Sequence, residues 1–151
     1  VVDVQGQPLV EILAALPLAV CKPNDTEMYD IPGVTGLPRW DAVRHALHYM
    51  RGCDVELPVV TLGPDGLAFA ADGKAWVATC RVAHARVTVG AGDALAGALA
   101  AAIDRLRKLD TDVVKEAAAV ASAFVAGTPV DSLPAVLDSF RERVNVRPLD
   151  D

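Results

Sequence analysis

Basic clusters, long apolar runs and paired cysteines are all missing from this chain, and each absence removes a class of function. Of its 151 residues, 14 are Lys or Arg and 20 are Asp or Glu, a net charge of -6. No Lys/Arg cluster offsets that balance, which argues against nucleic acid as a partner. Pro, Asp or Gly interrupts every apolar run well before the roughly 18 residues that a membrane span needs, so no membrane partner is expected. Cys21, Cys53 and Cys80 lie far apart and form neither a CxxC pair nor a zinc pattern. A reducing, cytoplasmic setting is the expectation, and no stretch reads as a signal peptide. Internal repeats and low-complexity linkers are missing as well.

What is present is a globular composition, 52% hydrophobic and 23% charged, enough to bury the core of one domain over 1–151. Residues 1–4 read as the end of a strand. Leu9, Ile12, Leu13 and Leu16 recur at helical spacing, predicting a short helix over 8–16. A short apolar strand covers 18–21, and the Gly/Pro-rich stretch 31–38 reads as a loop. A helix over 40–50 carries Trp40, Val43, Leu47 and Met50 on one side. A strand over 59–62 leads into a hairpin, 67–70 with 75–78, and a further strand is expected over 81–88. After Gly90 the chain reads as helical to its end, with helices over 92–108, 112–126 and 134–143. This is an α/β pattern: a mostly parallel sheet covered by helices.

The stretch Val87-Thr88-Val89-Gly90-Ala91-Gly92-Asp93 carries the most chemistry. A β-branched run ends in small residues just where a helix begins. Such a helix start leaves backbone N–H groups open to a phosphate, and the helix dipole adds partial positive charge. A carboxylate in that first turn suits proton removal from an attacking hydroxyl. Together these parts fit phosphoryl transfer, which depends on positioning and charge stabilisation.

Each motif also has a plainer structural reading. Gly90-Ala91-Gly92 serves equally as a tight strand-to-helix turn. Asn24-x-x-Glu27 fits a capping box, and Thr61-Leu62-Gly63 fits a core strand and its turn. His45 and His48 lack a third metal ligand and read as surface residues. Cys21 reads as a buried strand-end thiol. Arg105, Arg107 and Lys108 read as a solvated helix end.

Four separated signals occur in order: Asp3-x-x-Gly6, Lys22-Pro23-Asn24-x-x-Glu27, Thr61-Leu62-Gly63-x-x-Gly66 and Gly90-Ala91-Gly92-Asp93. In this arrangement the chain resembles the C-terminal half of the PfkB (ribokinase-like) carbohydrate kinases. The Lys-Pro-Asn and Val-Gly-Ala-Gly-Asp forms are most similar to the 1-phosphofructokinase and tagatose-6-phosphate kinase branch. The resemblance implies a three-layer α/β/α fold and phosphoryl transfer from ATP, with Mg²⁺, to a sugar or sugar-phosphate hydroxyl. It makes Asp93 the general base, with the N–H groups of Ala91, Gly92 and Asp93 after Gly90 as an anion hole. Asn24 and Glu27 would organise Mg²⁺ and phosphate, through water. Thr61, Gly63 and Gly66 would contact the nucleotide phosphates, and Lys22 would lie near them.

Nothing in 1–151 matches the family's N-terminal sugar-binding half and lid. The expectation is a fragment inactive alone. Its open sheet edge would be covered by another copy or by the missing half. Two alternatives stand beside this reading: a non-catalytic nucleotide-binding or assembly module, and a ribokinase or nucleoside kinase of the same superfamily.

Overall fold

Two short apolar segments, Leu18–Cys21 (β1) and Val55–Thr61 (β2), lie side by side in the computed structural model, which describes residues 1–149. They run parallel, with Leu18 opposite Val55, Val20 opposite Leu57 and Cys21 opposite Pro58. Only Glu56 is exposed along β2, the mark of a strand buried on both faces. β2 therefore starts at Val55 rather than at Val59, and it absorbs Pro58 within its buried run. On the other side of β1, Val2 donates its N–H to Val20 O and accepts from Lys22 N, both at 2.9 Å. The strand expected over 1–4 reduces to this single parallel bridge.

Beyond β2 the pairing turns antiparallel. Leu67–Ala71 (β3) sets Phe69 opposite Val59 and Ala68 opposite Val60. Asp72 and Gly73, both at positive φ (53° and 75°), link β3 to Lys74–Thr79 (β4). This is the turn chemistry that a two-residue hairpin demands. The sheet closes with Asn145–Pro148 (β5), in the order β1-β2-β3-β4-β5. The sheet is mixed, with parallel pairing at β1 and β2.

The chain divides into two compact units, Val1–Val77 with Pro148 and Leu149, and Ala78–Arg147. In the first, Gln7–Ala15 (α1) buries Leu9 and Leu13. Arg39–Gly52 (α2) buries Val43, Leu47 and Met50 and packs on β2 and β3. Trp40, expected on the same face, is instead exposed in the first turn of α2, with the Arg39 guanidinium 5.7 Å from its ring centroid. The second unit holds three helices, Ala91–Leu106 (α3), Thr111–Val125 (α4) and Leu133–Arg143 (α5), and α4 packs against both others. The Asp110 side chain caps α4 by accepting from Asp112 N and Val113 N.

Two expectations fail in this unit. Residues 81–88 form no strand. The Arg86 and Val87 N–H groups both donate to Val125 O, at 2.8 and 3.1 Å, so the C-terminal end of α4 satisfies them in place of a sheet ladder. Nor is the chain helical to its end, because β5 follows α5. Its sequence, Asn-Val-Arg-Pro, has one aliphatic residue and a proline, a pattern that only an edge strand tolerates. Among the described residues no helix is long and apolar enough to cross a membrane.

Candidate active site

Parallel strands deliver their C-terminal ends to one side of a sheet, and there the chain must turn. In open α/β sheets that crevice is where ligands bind. Here the turns after β1 and β2 leave together: Thr61 N donates to Pro23 O at 3.0 Å, and Asn24 bridges Thr61 in parallel fashion. The second and third motifs of the sequence are thus adjacent.

Asn24 and Glu27 do form a capping box. Asn24 Oδ1 accepts from Thr26 N and Glu27 N, each at 2.8 Å, while Glu27 Oε2 accepts from Asn24 N at 2.8 Å. A one-turn 3₁₀ helix, Glu27–Asp30, follows. The acceptor oxygen of Asn24 is thereby committed to the backbone, whereas Glu27 Oε1 accepts no hydrogen bond among the described residues. Among the described residues, no group of three or more His, Cys, Asp or Glu side chains is arranged to hold a metal.

Lys22, the last residue before this turn's Pro23, is the one buried charged side chain among the described residues, 3% exposed. Its Nζ lies 2.9 Å from Asp3 Oδ2, so an ion pair joins the first motif to the second. Gly6 N, donating to Asp30 Oδ2 at 2.9 Å, ties the first motif to the end of the 3₁₀ helix that follows the second. Cys21, next to Lys22, is buried and its thiol is pushed up to about 11. Burial is the main cause, and the Asp3 carboxylate adds to it against the opposing pull of Lys22.

After Thr61 the chain anchors Leu62 in the core and makes a tight turn over Gly63–Asp65. It closes where Leu62 N donates to Gly66 O at 2.8 Å. Gly66 sits at φ 92°, ψ -129°, a conformation open to glycine alone.

One organising residue escaped the sequence reading. Arg39 opens α2 and reaches both turns: Nη1 donates to Asp65 Oδ2 at 2.6 Å, and Nη2 donates to Asp25 Oδ2 and to Leu62 O, each at 3.2 Å. The Asp65 hydrogen bond, with Asp25 behind it, raises the Arg39 pKa further above its already high value. A cation in the first turn of a helix opposes the macrodipole. That misplacement was the available signal that Arg39 has partners elsewhere.

In the second unit, Gly90 adopts a left-handed conformation (φ 85°, ψ 1°) that aims the chain into α3. A side chain there would be strained, and its Cβ would sit 3.6 Å from the Phe124 ring. Ala94 N donates to Gly90 O at 2.9 Å, and Ala91 N makes a long turn bond to Thr88 O at 3.4 Å. The N–H groups of Gly92 and Asp93 fall in the first turn, where no helical carbonyl precedes them. Asp93 is exposed beside them. Gly90, Ala91, Gly92 and Asp93 thus form one compact set. Lys22, Asn24, Glu27, Thr61, Gly63 and Gly66 form another in the first unit. His45 and His48 do not act as a pair: His45 Nε2 is 3.1 Å from Pro32 O, while His48 is exposed.

Residues 1–134 match the family model for pfkB family carbohydrate kinases. This chain belongs to the PfkB family. Over 127 residues it is 32% identical to a 1-phosphofructokinase of Xanthomonas campestris pv. campestris, an alignment covering 81% of this chain and 38% of that protein. Among solved structures it is similar to phosphofructokinase-2 from Escherichia coli in complex with fructose-6-phosphate. The TM-score is 0.75 at 22% identity, over 90% of this chain and 44% of that one. It is similar as well to aminoimidazole riboside kinase from Salmonella enterica, complexed with aminoimidazole riboside and an ATP analogue. There the TM-score is 0.61 at 22% identity, over 82% and 42%. These likenesses show the ribokinase-like α/β fold of the PfkB chain, which spans less than half the length of the relatives it matches.

Proposed function

We propose that this PfkB chain supplies the nucleotide-phosphate and catalytic-base portion of an ATP-dependent kinase acting on a hydroxyl of a sugar phosphate. The start of α3 carries the reading: open N–H groups at Gly92 and Asp93, beside an exposed carboxylate, follow a left-handed Gly90. The names of the relatives, a 1-phosphofructokinase and a phosphofructokinase-2 holding fructose-6-phosphate, point to the same acceptor class.

The acceptor oxygen attacks the γ-phosphorus, the bond to the β–γ bridging oxygen breaks, and ADP leaves. Asp93 takes the hydroxyl proton as the new P–O bond forms. The N–H groups of Gly92 and Asp93, with Ala91 behind them, hold the phosphoryl oxygens as charge spreads over them. Thr61 and the Gly63–Gly66 turn contact the nucleotide phosphates, and Lys22, ion-paired to Asp3, lies near them at the end of β1. The donor set fits a Mg²⁺ that keeps most of its waters and is held by one carboxylate and the phosphates. Glu27 would hold it through water, and Asn24 would fix the turn that presents Glu27. When bound, Mg²⁺ neutralises charge on the nucleotide phosphates. These residues serve the phosphate side of the reaction rather than the choice of sugar.

Calorimetric titration of the 151-residue chain with Mg²⁺-ATP tests the reading. Wild type and Asp93→Asn are expected to bind with similar affinity, and Glu27→Gln more weakly, by a margin that disappears when Mg²⁺ is omitted. A folded chain that does not bind Mg²⁺-ATP would overturn it.

A further inference from the structure

The sequence motifs account for each of the two turns separately but not for how they are held to one another beyond the Pro23–Thr61 backbone bond. Arg39 is the side chain that reaches both. Its guanidinium meets Asp25 inside the first turn, and Leu62 O and Asp65 in the second. As a solitary ion-pair partner it contributes little stability, because Arg39, Asp25 and Asp65 are 39%, 40% and 54% exposed. Its planar fork nonetheless fixes directions as well as distances, which a lysine ammonium cannot do.

We infer that Arg39 is a positioning residue that sets the Asn24–Glu27 and Gly63–Gly66 turns in register for the nucleotide phosphates. The inference rests on the function proposed above. Its consequence is a loss of phosphate-dependent affinity without a matching loss of fold.

The test is titration of the full 151-residue chain with Mg²⁺-ATP and with adenosine, alongside thermal unfolding. Arg39→Ala is expected to weaken Mg²⁺-ATP by about tenfold, the scale seen when a partner that orients binding groups is lost. Adenosine affinity and the unfolding temperature should stay close to wild type. Arg39→Lys should resemble Arg39→Ala, because charge without the fork cannot span both turns. Asp25→Asn and Asp65→Asn should each weaken Mg²⁺-ATP in the wild-type background and have no further effect in Arg39→Ala. These two variants also decide the matter if Arg39→Ala does not fold. Unchanged Mg²⁺-ATP affinity in Arg39→Ala, full rescue by lysine, or additive aspartate effects would each overturn the inference. Glu27→Gln run in parallel separates the two levels. If it weakens Mg²⁺-ATP while the Arg39 variants do not, only the inference fails. If neither changes binding, or the folded wild type binds no Mg²⁺-ATP, the functional reading fails with it.

Discussion

The two units of this chain offer backbone N–H groups in opposite ways. In the first, large side chains fill the core, with Phe69, Leu9, Met28, Ile31, Leu47, Met50 and Leu57 all inaccessible to solvent or nearly so. Its turns are braced by side chains: Asn24, Glu27, Asp30 and Arg39 each bond to backbone. In the second, Ala102, Ala117, Ala118, Ala119 and Ala123 are buried alongside Leu95, Leu99, Val113, Val114 and Phe140, and the start of α3 is held by backbone bonds and one left-handed glycine. A side-chain brace loses its partners one at a time. A backbone brace tolerates almost no added atom but has few side chains to lose. The first unit should therefore be sensitive to truncation and the second to enlargement, with Asp93, proposed as the base, the exception.

That exception gives the largest expected effect. In an active enzyme that contains this chain, Asp93→Asn should lower the rate of transfer from ATP to a sugar phosphate by about 10²–10⁴-fold, the usual range for a general base. Mg²⁺-ATP affinity should hardly change. Steady-state kinetics beside calorimetry decides this, and equal losses in both would make Asp93 a binding group. Next in size are two core changes measured by urea unfolding. Phe69→Ala should cost about 3–5 kcal/mol through the cavity it leaves. Ala119→Leu should cost about 1–3 kcal/mol by overpacking a fully buried site on α4. A neutral Ala119→Leu would mean that α4 has slack, and the contrast between the units would collapse.

Much of this contrast was legible in the sequence, for a definite reason. Helical spacing located α3, α4 and α5 to within a residue or two, since each is long enough to repeat its apolar period. The Asp72-Gly73 turn and the four motifs are local chemistry, readable without knowing what lies nearby. What escaped depends on partners distant in sequence. Residues 81–88 have strand composition, yet Val125 O takes the N–H groups of Arg86 and Val87, and no local pattern encodes that acceptor. β5 is a strand only because an edge beside β4 receives it. Spacing alone puts Trp40 on the side of Val43, Leu47 and Met50, although the helix begins one residue earlier and leaves it exposed in the first turn. Arg39 is the clearest case, a surface residue by type whose meaning lies in Asp25, Leu62 and Asp65.

The remaining contrasts are smaller. Cys21 belongs to the tightly filled first unit, whereas Cys80 of the second is half-buried. With its thiol pushed up to about 11, mainly by burial, Cys21 should stay unmodified by a thiol reagent at pH 8 while Cys80 reacts. Mass spectrometry after limited labelling reads the difference. The sign of the pH effect follows. Above the ordinary thiol value of 9.0 the unfolded chain releases this proton while the folded chain keeps it, until about 11. Stability should therefore fall as pH rises through that window, and Cys21→Ser should flatten the fall. Labelling of Cys21 as fast as Cys80 at pH 8 would mean that the first unit opens as easily as the second.

The smallest expected effect probes the side-chain brace itself. Asn24→Ala removes the acceptor for Thr26 N and Glu27 N and should cost about 1 kcal/mol, as caps do. The reciprocal bond from residue 24 N–H to Glu27 survives, because it uses backbone on that side. Asn24→Asp keeps the acceptor and should restore the stability. The added charge should then weaken Mg²⁺-free ATP more than Mg²⁺-ATP, since only the former meets the new carboxylate without a counter-ion. If Asn24→Asp instead matches Asn24→Ala in stability, the Asn24 amide group contributes something beyond its cap oxygen. The turn would then depend on both ends of that side chain rather than on the capping box alone.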